Sequence, residues 1–93
     1  MPFHRSLEMT VSREEFFRLL PAVVGSFEAD GDVARWSDAG RRWTIRLVSL
    51  PERRLGSVAV ARHRVEIDLE ECGEPEGEAF MARFRRTFVR AGG

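Results

Sequence analysis

The chain has 93 residues and no formal net charge, with 15 basic and 15 acidic side chains and an apolar fraction of 43%. That apolar content suits one small folded domain over residues 1–93 and is too high for a disordered chain. No apolar run approaches the roughly 20 residues that span a bilayer, no secretory pattern is visible, and balanced charge gives no global field to attract nucleic acid or anionic lipid.

A soluble, cytoplasmic, bacterial protein is therefore expected, and the lone Cys72 agrees with a reducing compartment. Every basic residue is arginine, and Lys, Tyr, Asn and Gln are all missing. Arginine forks onto phosphate. The joint loss of Lys, Tyr and Asn, whose codons are AT-rich, points instead to a GC-rich genome.

Residues 3–11 alternate, with Phe3, Leu7, Met9 and Val11 on one side and His4, Ser6, Glu8 and Thr10 on the other. This is the pattern of a half-buried strand, with Arg5 as a mismatch near a frayed end. Ser12 and Glu15 are spaced as a capping box, and Val11 and Phe16 as a hydrophobic staple. The helix they open carries Phe16, Leu19, Leu20, Val23 and Val24 at helical spacing. Pro21 predicts a break near Leu20, and Gly25 the exit.

The segment 26–71 reads as strands and turns. Residues 27–29 form either a short strand or the lead-in to the turn Ala29–Asp32. The turn "SDAG" places Trp36 opposite Trp43 and Ala34 opposite Ile45, and such aromatic pairs add roughly 0.5–1.5 kcal/mol beyond burial. A reversal over Pro51–Arg54 pairs Leu50 with Leu55, Leu47 with Val58 and Ile45 with Val60. In "VAVARHRVEID" the apolar positions then change from even to odd. A second reversal across Ala61–Arg64 keeps Val58, Val60, Val65 and Ile67 on one face, whereas a continuous strand needs a bulge. A hairpin with a four-residue loop is expected, because Gly and Asn are absent from the insert.

The last helix starts near Pro75 and buries Phe80, Met81, Phe84, Phe88 and Ala91. Glu74, Glu76 and Glu78 lie at its start and Arg83, Arg85, Arg86 and Arg90 toward its end, which complements its dipole; Gly92 and Gly93 stop it. The expected fold is thus α+β: a single antiparallel sheet of about five strands in the order β-α-β-β-β-β-α, with two helices packed on one face. The order resembles one half-repeat of the TATA-box-binding-protein type. The likeness is architectural, covers most of the chain, rests on no shared motif and implies no activity or residue role here.

With helices on one face, parity leaves Arg35, Arg42, Thr44, Arg46 and Val48 on the other, followed by Ser57, Ala59 and Ala61. Glu66, Asp68 and Glu70 come next, and the first strand adds His4, Ser6, Glu8 and Thr10. One side of this face is expected to be basic and the other acidic, and placing the arginines there rests on the hairpins. The acidic strand and the inward tryptophans weigh against a nucleic-acid platform. A solvated face is the ordinary outcome for such charges, and a docking face for a protein of opposite pattern, or for a second copy, is the functional one.

No catalytic, cofactor or metal set emerges. His4, His63 and Cys72 match no ligand spacing, and His63 is expected to be solvated in a turn. Acidic neighbours around Cys72 would raise its thiol pKa. The cluster Glu70, Glu71, Glu74, Glu76 and Glu78 lacks a calcium-loop pattern. The glycines at 25, 31, 40, 56, 73 and 77 are isolated turn residues, not a phosphate loop. The serines have no recognisable base. "LPERRLG" could fork arginines onto carboxylate or phosphate; "RFRRTFVRAGG" reads as core phenylalanines and a solvated arginine stripe.

The sequence therefore favours a non-enzymatic accessory or interaction module that takes no cofactor and binds a protein partner or forms a homodimer. Arg35, Arg42, Arg46, Arg53 and Arg54 are its expected contacts. The alternatives are a weak nucleic-acid binder using the Arg-rich turns and last helix, and an enzyme or small-ligand carrier with a site between helices and sheet.

Overall fold

A computed structural model describes residues 1–90. Ala91 of the expected helix stripe, the stop residues Gly92 and Gly93, and the side chain of Arg90 lie outside the described residues. The elements are β1 (Phe3–Met9), α1 (Arg13–Leu19), α2 (Pro21–Val24), β2 (Glu28–Asp30), β3 (Val33–Asp38), β4 (Arg41–Leu55), β5 (Val58–Leu69) and α3 (Glu74–Arg90). The strands form one antiparallel sheet ordered β1-β5-β4-β3-β2. The fold is α+β in the order β-α-β-β-β-β-α, with the first helical segment in two pieces.

Local chemistry explains the helical boundaries. The Ser12 hydroxyl accepts from the Glu15 amide at 3.1 Å, satisfying one free donor of the first turn. Only this half of the capping box forms among the described residues, and the Glu15 carboxylate lies 3.9 Å from the Arg18 guanidinium. Val11 and Phe16, the staple pair, are both buried. Proline cannot donate within a helix, so α1 ends at Leu19 with Leu20 as its cap, and Pro21 restarts the chain as the first residue of α2. Gly25 leaves with φ of 76°, a region that favours glycine.

Odd positions of β5, and of β4 before its bulge, lie on the helix side of the sheet. Trp43, Ile45, Leu47, Val65, Ile67 and Leu69 join Phe16, Leu20, Phe80, Met81, Phe84 and Phe88 in one buried cluster. Each such side chain contributes roughly 1.5–3 kcal/mol when fully buried. Aromatic rings run through this layer. Phe16 stacks on Phe88 at 5.1 Å and 19°, Phe80 stacks on Trp36 at 6.0 Å and 20°, and Trp36 meets Trp43 edge-on at 6.3 Å and 85°. The pairings Trp36 with Trp43 and Ala34 with Ile45 are those the "SDAG" turn predicts.

The expected hairpin at Ala61–Arg64 does not exist. β5 runs unbroken through it, and the chain reverses instead at Gly56 and Ser57, with Leu55 paired to Val58. Consequently Ile45 pairs with Ile67 and Leu47 with Val65, not with Val60 and Val58. Pro51 and Glu52 lie where the register shifts, between the pairs Leu50 with Arg62 and Arg53 with Val60. Proline has no N–H to give the ladder and is tolerated at such a bulge. Val58 and Val60 therefore leave the core side, and Ala59 and Ala61 take the opposite side to the one expected.

Two further expectations fail. Arg5 is not at a frayed end: its guanidinium lies 4.2 Å over the Phe3 ring and reaches Glu74 at 3.1 Å and Glu78 at 3.0 Å. His63 is not in a turn but half-buried in β5, where Nδ1 donates to the Val11 carbonyl at 2.7 Å.

Candidate functional site

The face of the sheet away from the helices is uncovered, and cross-strand register sets its chemistry. One row across β2, β3, β4, β5 and β1 reads Glu28, Arg35, Thr44, Asp68, His4; the next reads Asp30, Val33, Arg46, Glu66, Ser6. The direct pairing of β4 with the far half of β5 removes the strand expected between them. Basic and acidic residues thus alternate across the face and are not segregated to two sides.

Several of these charges neutralise one another. Arg35 pairs with Asp30 at 3.2 Å, Arg62 with Glu8 at 2.8 Å and Arg64 with Glu66 at 3.2 Å, while the His4 ring is hydrogen-bonded to Asp68 at 2.7 Å. Arg42, Arg46, Arg53 and Arg54 make no ion pair among the described residues and are exposed.

The five expected contact arginines separate into two groups. Arg35, Arg42 and Arg46 lie together on the open face, and this placement survives the loss of the hairpin because the β3–β4 register alone fixes it. Arg35 and Arg42 also border an open groove of about 440 Å³ with Ser26, Phe27, Trp36 and Ser37, beside the part of β3 that β2 leaves uncovered. Arg53 and Arg54 stand apart, inside β4 and not at a turn tip.

They belong to an arm. Pairing of β1 with β5 stops at Met9 and His63, and pairing of β3 with β4 at Val33 and Arg46. β4 and β5 continue together to Leu55 and Val58 as a two-stranded ribbon, exposed at every residue from 51 to 59. After the bulge, Arg53, Leu55, Val58 and Val60 share the open face. Leu55 and Val58 are 60% and 59% exposed, an apolar tip with nothing over it.

A second charged cluster is structural. Arg41 lies 4.7 Å over Trp43, donates to the Glu71 carbonyl at 3.0 Å and Glu76 at 2.6 Å, and also holds Asp38. Hydrogen bonds to Glu76 and then Asp38 raise the Arg41 pKa above its ordinary value, and the Arg41 hydrogen bond holds the Glu76 carboxyl below the usual range. With Arg5 on Glu74 and Glu78, these contacts occupy the three carboxylates at the start of α3. No group of three or more His, Cys, Asp or Glu is disposed to hold a metal ion among the described residues. Buried Cys72 has its thiol pKa pushed up, first by desolvation and then by Glu76.

Sequence reasoning missed the arm and the Arg41 cluster. The arm had a signal, because Gly56-Ser57 between Leu55 and Val58 is a two-residue hairpin turn. Arg41 had none toward α3, since Glu71 and Glu76 are 30 and 35 positions away.

No helix among the described residues is long and apolar enough to cross a membrane. No family model, curated protein or solved structure matches the chain. The resemblance to a TATA-box-binding-protein half-repeat therefore remains one of element order.

Proposed function

We propose that the chain is a non-enzymatic interaction module of the cytoplasm that docks a protein partner on the uncovered side of its sheet. One observation carries this reading: Arg42, Arg46 and Arg53 are exposed on that side and unpaired among the described residues, whereas Arg35, Arg62 and Arg64 find partners within the chain; Arg54, paired with Ala59, lies on the other side of the arm. A guanidinium left free can fork onto a carboxylate of another protein, and charged rims of this kind select partners and orient them. The free thiol of Cys72 fits a reducing compartment.

The test uses the tagged chain as bait beside an Arg42→Glu, Arg46→Glu variant of unchanged melting temperature. The expected result is a partner retained by the parent chain and lost by the variant. A partner held equally by both, or none held by either, overturns the reading.

A second reading, weak nucleic-acid binding, draws on Arg53 and Arg54 together with exposed Arg83, Arg85 and Arg86 on α3. It is weakened by Glu28, Glu66 and Asp68, which interrupt the positive potential that phosphate requires. Retardation of DNA or RNA that collapses between about 50 and 200 mM salt would favour it over protein docking.

A further inference from the structure

The two long edges of the arm are unlike. The β4 edge carries Pro51, the bulge and the adjacent Arg53 and Arg54, the devices by which proteins blunt an edge against pairing. The β5 edge over residues 58–62 reads Val-Ala-Val-Ala-Arg. It has no proline, glycine or bulge, and β1 ends before reaching it.

We propose that this edge is a dimer interface on which a second copy of the chain pairs antiparallel, with Val60 on the two-fold axis. The proposal deepens the docking reading by naming one partner, the chain itself. Its first support is self-complementarity. Around Val60, Ala59 meets Ala61 of the other copy and Val58 meets its Arg62, so small residues face small ones on one side, and on the other Val60 meets Val60 with the aliphatic stem of Arg62 over Val58. A two-fold interface demands such a match, since the same patch serves both copies.

Charge supports the same occupant. The chain has no net charge, so two copies do not repel overall. The arginines nearest the edge, Arg62 and Arg64, are already neutralised by Glu8 and Glu66 at 2.8 and 3.2 Å. The unpaired Arg53 lies one strand back. Across the four-stranded layer the two Arg53 side chains sit three strand spacings apart, roughly 14 Å, beyond the screening length of about 8 Å at physiological ionic strength.

Stability and closure add a third argument. A two-stranded ribbon alone is marginal in water, and joining two ribbons gives four strands. The joined open face places Leu55 and Val58 in one row with Arg62 and Leu50 of the other copy, whose aliphatic portions cover part of the exposed tip. The free edge stops at the Gly56–Ser57 turn and at the end of β1, so pairing closes at two copies and does not propagate.

The experiment is sedimentation velocity on the full chain and on Val60→Lys and Val60→Glu. The parent chain is expected to be a dimer at about 100 μM, within reach of a small interface. Each variant alone is expected to be a monomer, because like charges then meet on the axis. An equimolar mixture of the two is expected to restore a dimer of one of each. A monomeric parent chain at that concentration, or variants that remain dimeric, overturns the proposal.

If either variant fails to fold, hydrogen exchange on the parent chain decides. Amides of residues 58–62 should exchange more slowly at high concentration than at low, and unchanged exchange overturns the proposal. The Arg42 and Arg46 charge reversals leave this edge intact. A failure of self-pairing is thereby distinguished from a failure of docking on the open face.

Discussion

The ring of Phe3 occupies the space that a side chain on Gly77 would need. Gly77 is not a turn residue but part of α3, and its missing Cβ lets the helix backbone lie directly against buried Phe3. Arg5 closes the arrangement by stacking on that ring and binding Glu74 and Glu78. In an unconstrained helix, Gly→Ala gains about 1 kcal/mol. Here overlap with the ring costs about 1–3 kcal/mol, and Gly77→Ala is expected to be net destabilising in urea unfolding. The cost should shrink when Phe3→Leu is added. A Gly77→Ala protein more stable than the parent would contradict the packing.

The Arg41–Glu76 contact gives stability a pH dependence with a definite sign. The folded-state pKa of Glu76 lies below its ordinary value because of the hydrogen bond from Arg41. A carboxylate depressed on folding contributes fully above its unfolded pKa, and the contribution is lost as pH falls through the folded value. Glu76→Gln is therefore expected to destabilise the protein at neutral pH, with the gap to the parent closing below the usual carboxylate range. A gap independent of pH would show that packing, not charge, is what Glu76 supplies.

Much of the fold is legible where signals are local. The Ser12 cap, the break at Pro21 and the Trp36–Trp43 register are set by residues close in sequence, and each is found in place. The failure at Ala61–Arg64 has one physical cause. A change of apolar phase along a strand reads as a turn when every apolar residue is assumed to face one core. In β5 that assumption breaks: Val65, Ile67 and Leu69 face the helices, while Val58 and Val60 lie past the sheet body and face the open side with Leu55. The phase change marks where the strand leaves the core. Arg35, Arg42 and Arg46 were legible because their neighbours are local. Their alternation with Asp68 and Glu66 was not, because it depends on which distant strand lies beside β4.

Cys72 should behave as an inert thiol. It is buried, its Sγ donates to the Gly73 carbonyl at 3.5 Å, and desolvation raises its pKa. Only the thiolate attacks a disulfide reagent, so reaction requires both opening and deprotonation. Modification of the native protein is expected to be slower than that of the denatured chain by more than about tenfold. Rapid labelling of the native protein would mean that the Gly73 loop opens readily.

The arm and the sheet body should respond oppositely to loss of apolar side chains. Ile67 is fully buried in the core and pairs with Ile45, so Ile67→Ala leaves a cavity and should cost about 2–5 kcal/mol. Leu55 and Val58 pair only with each other across the Gly56–Ser57 turn and already face water. Replacing both with serine removes little buried area and should change stability by less than about 0.5 kcal/mol, provided the measurement is made at concentrations where the chain is monomeric. A dilute-solution loss as large as that of Ile67→Ala would mean that the ribbon folds back onto the body, and residues 51–59 would not be free to meet a partner.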